Sequence, residues 1–444
     1  MAALPQEPFG LQFESKRDPM RGAFFWLSAF YLVYCGRPED WIPGLFTIPL
    51  AKITSFLAFV ALVAALGRAK RSLRHLPREA YYLMGMVAWL LLSAMFSPIW
   101  RGGAVSKSID FSKVLVAWIL TFMVVTDFQK LRRLVFIQSV CVPVISLVSI
   151  LKGHNHPRLQ GVLGGIYSDP NDLAFAIVLS LPFCLMFLLT AKSRVKKFLW
   201  LLGMLVMGVA LLMTASRAGF IDFAISFTIC LWHFGVKGRR PSLLLATAII
   251  GGLLLLLAGG RLKDRFAAMS GSNLESNYQE SAYGSYEERK FLMFKSFEAI
   301  EDYPLFGVGL RNFAQYSGIW KVVHASYLQI AAEGGVPVLV LYLLFFGSGF
   351  TNLRKVKKFD NPDPDVILMR GALHSSLVGF IVGSCFAPEA YQFFPYFAVA
   401  YTSVLLRVEQ ENGDPSKVVE AKPALRDFTE VYVQDDSSVL PTVR

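Results

Sequence analysis

The chain has 444 residues, 54% of them hydrophobic and only 17% charged, with a formal net charge of +12. Its mean hydropathy is +0.47, and apolar runs of about 17–25 residues, the length a bilayer core requires, recur along it. That composition excludes a soluble domain built round one core, and the placement of the positive charge, taken up below, removes the need for a nucleic-acid partner.

Residues 1–21 form a polar start with Lys16, Arg17 and Arg21, which reads as a cytoplasmic N-terminus rather than a cleavable signal peptide. Twelve membrane helices are predicted after it, at about 22–36, 45–66, 80–98, 112–126, 133–151, 172–190, 198–214, 218–234, 242–258, 326–350, 366–385 and 392–407. Nine therefore lie in 22–258 and three in 326–407, separated by a long polar loop at 259–325. The expected fold class is an all-α polytopic membrane protein of about twelve transmembrane helices, with one large periplasmic loop that itself contains helices. Residues 408–444 mix charges with Pro and Ser and lack apolar periodicity, so a disordered cytoplasmic tail is expected there.

With the N-terminus in the cytoplasm, every inner loop carries a basic cluster. These are Arg68 to Arg78, then Lys130, Arg132 and Arg133, then Lys192 to Lys197, Lys237 to Arg240, and Arg354 to Lys358. This positive-inside pattern accounts for the net charge and puts 259–325 on the periplasmic side. All five cysteines (Cys35, Cys141, Cys184, Cys230 and Cys385) fall in apolar runs without a CxxC pair, and read as small core residues.

Several polar residues stand out in chain order. Lys52 and Asp222 lie within spans near the outer side, a depth that marks a pathway or a pair. His154-Asn155-His156, followed by Arg158, contains two histidines without nearby carboxylates or thiols, a poor metal site. In Asp169-Pro170-Asn171-Asp172 the residues suit N-cap, N1 and N3 of a helix. A carboxylate there could also orient a sugar hydroxyl at the outer surface. Thr214-Ala215-Ser216-Arg217-Ala218-Gly219 joins two spans with almost no loop, which sets Arg217 at the outer headgroup level, as an anchor or as a partner of a lipid diphosphate.

In the large loop, Ser285-Tyr286-Glu287-Glu288 has the form of a capping box, which predicts a helix from Ser285 to about Tyr303, ahead of Pro304. At 100° per residue Arg289 falls amid Leu292, Met293, Phe297 and Ile300, where a guanidinium is costly unless an anion meets it or it snorkels to the edge. The turn Pro304-Leu305-Phe306-Gly307-Val308-Gly309-Leu310-Arg311-Asn312-Phe313 follows. Its Gly307-Val308-Gly309 is no dinucleotide fingerprint, because no strand precedes it and a third glycine is missing. His324-Ala325-Ser326-Tyr327-Leu328-Gln329 then opens the next apolar run, followed by Glu333-Gly334-Gly335. Asp363-Pro364-Asp365 sits between inner spans and reads as a turn.

The loop helix with Arg289, the glycine turn and the His324 motif together resemble the signature of the O-antigen ligase and O-antigen polymerase superfamily. Asn is replaced by Ala325 in the histidine motif, and Val338 stands where a glycine is common. The Arg37-Pro38-Glu39-Asp40-Trp41 segment further resembles ligase-like proteins linked to exopolysaccharide or protein-sorting systems. The resemblance implies a helical glycosyltransferase of the bacterial inner membrane, with its active site on the periplasmic side and no cofactor or metal. The implied partners are an undecaprenyl-diphosphate-linked glycan as donor, a glycan, lipid or protein hydroxyl as acceptor, and the membrane lipids. The implied catalytic residues are His324, Arg289 and Arg217, the two arginines on the diphosphate and the histidine on the acceptor. Arg311, Asp169, Asp172, Arg158 and Lys52 are the expected substrate-binding residues. A transporter is the competing class, but it predicts inverted repeats and helices broken at mid-membrane, and the sequence has no internal repeat.

Overall fold

The computed structural model describes residues 18–67, 76–152, 158–161, 167, 169–258, 277–359 and 362–412. Its elements are α1 (Arg21–Gly36), α2 (Pro38–Trp41), α3 (Leu50–Leu66), α4 (Arg78–Met95), α5 (Arg101–Val124), α6 (Phe128–Lys152), α7 (Pro170–Thr190) and α8 (Arg194–Thr214). They continue as α9 (Arg217–Leu231), α10 (Pro241–Ala258), α11 (Asn277–Asp302), α12 (Phe313–Tyr316), α13 (Ser326–Gly334), α14 (Val336–Val356), α15 (Pro364–Gly383) and α16 (Phe393–Asn412). No strand occurs among the described residues. Among these residues six helices are long and apolar enough to cross a membrane: α6, α7, α8, α9 with its π-turn extension to Val236, α14 and α15. The described residues form an all-helical fold, that of an integral membrane protein. The expected twelve spans are matched only in part, since α1 and α3 have 16 and 17 residues and α5 carries Lys107, Asp110 and Lys113 among its apolar residues.

The bundle is organised round α7. Its residues from Leu173 to Phe187 are buried on every side, as expected of a helix that is apolar all round. It packs against α6, α8, α9 and α15. Asp169 starts it as the sequence predicts, with its carboxylate accepting the Asn171 N–H at 2.7 Å and Pro170 in the first turn. At the opposite end Arg132 of α6 pairs with Asp365 of α15 and donates to Thr190 Oγ1 at the end of α7. Asp363 caps α15 through the Asp365 N–H at 2.8 Å, which is the expected turn. The basic residues 130–133, 192–197, 237–240 and 354–358 therefore lie at the end of the bundle away from Asp169.

Four expectations are corrected. The span expected at 326–350 is two helices, α13 and α14, broken at Gly335. Gly335 has φ 82°, and a Cβ on it would sit 2.1 Å from the Leu305 carbonyl oxygen, so this crossing needs glycine. Pro337 then takes the first turn of α14. Second, α5 begins at Arg101 rather than 112, because Lys107, Asp110 and Lys113 stack along it, with Asp110 3.9 and 2.5 Å from the two lysines. Third, α11 begins at Asn277, so Ser285 lies inside the helix and is not its N-cap. Fourth, α16 runs on to Asn412 past the expected stop at 407, held where Arg407 donates to the Phe122 carbonyl at 2.6 Å and lies 4.4 Å over its ring. The tail beyond 412 and residues 68–75 and 259–276 lie outside the described residues.

Candidate functional site

The site forms where the N-termini of α7, α9 and α13 meet α11. Asn171, in the first turn of α7, is the joint. Its Oδ1 accepts from Arg158 Nη2 at 3.1 Å and from Ser216 Oγ at 2.7 Å. Arg158 Nε also donates to the Thr214 carbonyl at 2.9 Å, tying Arg158 to the end of α8. Ser216 Oγ in turn accepts the Gly219 N–H at 3.1 Å, capping α9. Ala215 at φ 47° lets α8 turn into α9 within two residues. Arg217, the first residue of α9, is thereby fixed at the tight turn foreseen from sequence and is 9% exposed.

α11 packs on α13 through Leu292, Ser296 and Ala299, which are fully buried, and a small cluster of Val308, Phe313, Val323 and Ala332. The buried stripe thus differs from the one expected. Met293 and Phe297 are exposed, because small Ser296 and Ala299 allow the closer approach that those larger side chains would prevent. The glycine turn locks the far end of α13. Val308 and Gly309 donate to the Ala332 and Glu333 carbonyls at 2.9 Å each, and Asn312 Nδ2 reaches Ser97 Oγ at 2.9 Å. Gly307, at φ 65°, leaves no room for a Cβ beside Glu333. Ser326 locks the near end, with its Oγ donating to the Ala387 carbonyl at 2.7 Å and accepting the Glu389 N–H at 2.9 Å.

Two cavities open here. A polar one of about 700 Å³ is lined by Arg158, Asp169, Asn171, Ser285, Glu288, Arg289, Trp320, Lys321 and His324 among others. A mainly apolar one of about 470 Å³ is lined by Arg217, Ile221, Met293, Leu328, Phe386, Cys385, Arg289 and His324 among others. Arg289 and His324 are the charged or titratable side chains common to both. His324 is half-buried, and its Nδ1 has no hydrogen-bond partner among the described residues. Burial, and next the Arg289 guanidinium, push its imidazole down to about 4, so at pH 7 it is a neutral base.

Residues 202–343, from within α8 into α14, match the family model for O-antigen ligase. The match spans about a third of the chain and is what this segment is similar to. No curated protein matches the chain. The O-antigen ligase match covers Arg217, Arg289, Arg311 and His324, and gives the coarse class, a membrane glycan ligase or polymerase. Arg158, Asp169 and Asn171 lie outside the O-antigen ligase match yet share the polar cavity with Arg289 and His324.

Of the eight residues singled out from sequence, Arg158, Asp169, Arg217, Arg289 and His324 come together. Three do not. Lys52 is exposed on α3, where it faces Asp110 of α5, and so it neither lines a cavity nor pairs with Asp222. Asp222 is buried on α9 against Gly383. Asp172 points behind the N-terminus of α7, where its carboxyl hydrogen-bonds the Glu389 carboxyl. Burial, and then the Asp172 charge, hold the Glu389 carboxyl well above its ordinary range, so this buried pair retains a proton. Arg311 is exposed beside the same pair, 5.8 Å from the Tyr391 ring. His154 and His156 lie outside the described residues. Cys385, expected in the core with the other cysteines, is exposed at the apolar cavity. Sequence reasoning gave no joining role to Asn171 or Ser326, whose partners Ser216, Ala387 and Glu389 are 45 to 63 residues away.

Proposed function

We propose that the protein transfers a glycan from a polyprenyl diphosphate to an acceptor hydroxyl on the periplasmic face of the inner membrane. The observation that carries this reading is the shared wall of Arg289 and His324 between a polar and an apolar cavity. A lipid-linked sugar needs that junction, with its tail on the apolar side, its glycan on the polar side and its diphosphate between them. Arg217 and Arg289 bind the diphosphate through charge-assisted hydrogen bonds. The acceptor oxygen attacks the anomeric carbon from the face opposite the diphosphate. The bond from that carbon to the diphosphate oxygen breaks, its electron pair leaves with the lipid diphosphate, and the configuration inverts. His324 takes the acceptor proton. The two guanidiniums meet the charge that develops on the leaving oxygen.

Purified protein in nanodiscs, given a polyprenyl-diphosphate glycan and an acceptor, is the direct test. Release of polyprenyl diphosphate coupled to glycosylated acceptor is the expected result; translocation of intact donor without bond cleavage would favour the transporter class. The same assay in EDTA is expected to retain full activity, since the arginines supply the neutralising charge. Loss on chelation with rescue by Mg²⁺ would overturn the arginine-only mechanism.

The facing of the site is tested by Cys385, the exposed one of the cysteines at this end. An impermeant maleimide is expected to label it in cells whose outer barrier alone is permeabilised, and Cys385→Ser to abolish the labelling. Labelling only after lysis of the inner membrane would place the site in the cytoplasm and end the proposal.

A further inference from the structure

Gly318-Ile319-Trp320-Lys321 lies between the glycine turn and His324, and its backbone is unusual. Gly318 and Trp320 both occupy the left-handed region, at φ 76° and φ 56°. Glycine takes that conformation freely, whereas a bulky residue is strained there and does so only when the surroundings impose it. The Trp320 N–H is fixed by the Ala314 carbonyl at 3.1 Å. Packing does not repay the strain, because Trp320 is 74% exposed. A large apolar ring is thus held out of the core in a conformation that glycine or asparagine would adopt more readily.

The ring stands at the polar cavity, not the apolar one. The same cavity is lined by Arg158, Asp169, Asn171, Glu288 and Lys321, with Glu288 and Lys321 paired at 2.5 Å. A pyranose has an apolar face of axial C–H groups and a rim of hydroxyls that donate and accept. An indole plane beside planar amide, carboxylate and guanidinium groups complements both surfaces. We propose that Trp320 is a stacking platform for a sugar ring of the bound glycan, with Asp169, Asn171 and Arg158 facing the hydroxyl rim. The inference rests on the glycan-transfer reading but is a statement about binding. The competing occupant is the membrane headgroup layer, where tryptophan also collects.

The protein labelled with 5-fluorotryptophan, in nanodiscs, gives a ¹⁹F resonance for Trp320 that is identified by its loss in Trp320→Phe. The probe is the oligosaccharide released by mild acid from the lipid-diphosphate fraction of cells that produce the protein. This sugar lacks the leaving group, so binding is read without turnover. The expected result is a saturable shift of the Trp320 resonance with the oligosaccharide and none when phosphatidylglycerol replaces neutral lipid in the disc. No shift with saturating sugar, or a shift with lipid alone, would overturn the proposal. Trp320→Ala lacks that resonance, so its sugar binding, like that of the wild type, is read by isothermal titration calorimetry, where the half-saturating concentration is expected to rise about tenfold. Trp320→Gly, which fits the backbone, is expected to match that loss without lowering Tm, separating a lost platform from a damaged fold. Wild-type affinity in both variants sinks the platform alone. A sugar-induced shift in a protein that shows no transfer sinks the transferase reading alone.

Discussion

Replacing His324 by alanine is expected to slow glycan transfer by roughly 100- to 10,000-fold, the usual contribution of a positioned general base, while donor affinity stays close to that of the wild type. A base acts on the proton in the transition state, so its loss appears in kcat rather than in ground-state binding. The imidazole is held down to about 4 by burial and by the Arg289 charge. Only the unprotonated ring accepts a proton, so kcat/KM of the wild type should be level through neutral pH and fall as the pH drops through about 4. Arg289→Ala removes the second-largest of the depressing influences and should move that midpoint upward. Wild-type turnover in His324→Ala would shift the role to Asp169, which faces the same polar cavity. It would not shift it to Glu389, which is 2% exposed and whose carboxyl is held well above its ordinary range by burial and the Asp172 charge.

The second large effect is expected at Arg289, where lysine should be nearly as harmful as alanine. Lysine keeps the charge but replaces a planar fork of donors by a single hydrated point, and it cannot bridge two phosphoryl oxygens. Losing such a charge-assisted contact in a water-poor site costs about 2–4 kcal/mol of transition-state stabilisation, or roughly 30- to 1,000-fold in rate. Arg217→Lys should follow the same pattern, because Arg217 lines the apolar cavity with Arg289. Transfer rate and lipid-donor affinity measured together for each variant check this. Near-normal rates in Arg289→Lys would mean that a simple positive charge suffices and that bidentate recognition plays no part.

The parts of this site that could be read from sequence are those fixed by local chemistry. Asp169 caps α7 because Asp-Pro dictates a helix start within three residues, and Arg217 sits at a turn because two apolar runs meet with no loop between them. His324 stands out through its neighbours Ser326 and Tyr327, although the structure shows Ser326 acting as the clamp on the Glu389 segment. What failed did so where tertiary contact overrides period. Arg289 was expected among Met293 and Phe297, yet the helix turns Ser296 and Ala299 inward, since close packing on α13 favours small residues over hydrophobic ones. The break at Gly335 was carried by Glu333-Gly334-Gly335 and Pro337, which a single span was read across, and its place is fixed by the Leu305 carbonyl that crosses it. Lys52 stands apart on the exposed face of α3, near Asp110 of a helix whose charged first half did not resemble a span.

The junction of the two cavities has a kinetic consequence. If the donor is lipid-linked as proposed, one reactant reaches Arg289 and His324 by diffusing in a plane, the other by diffusing in a volume, and the two concentrations are measured in different units. The rate should therefore track the mole fraction of donor among the surrounding lipids rather than its amount per litre. Diluting the donor with inert phospholipid at constant bulk concentration should lower the rate, whereas the same dilution should leave the dependence on a water-soluble acceptor untouched.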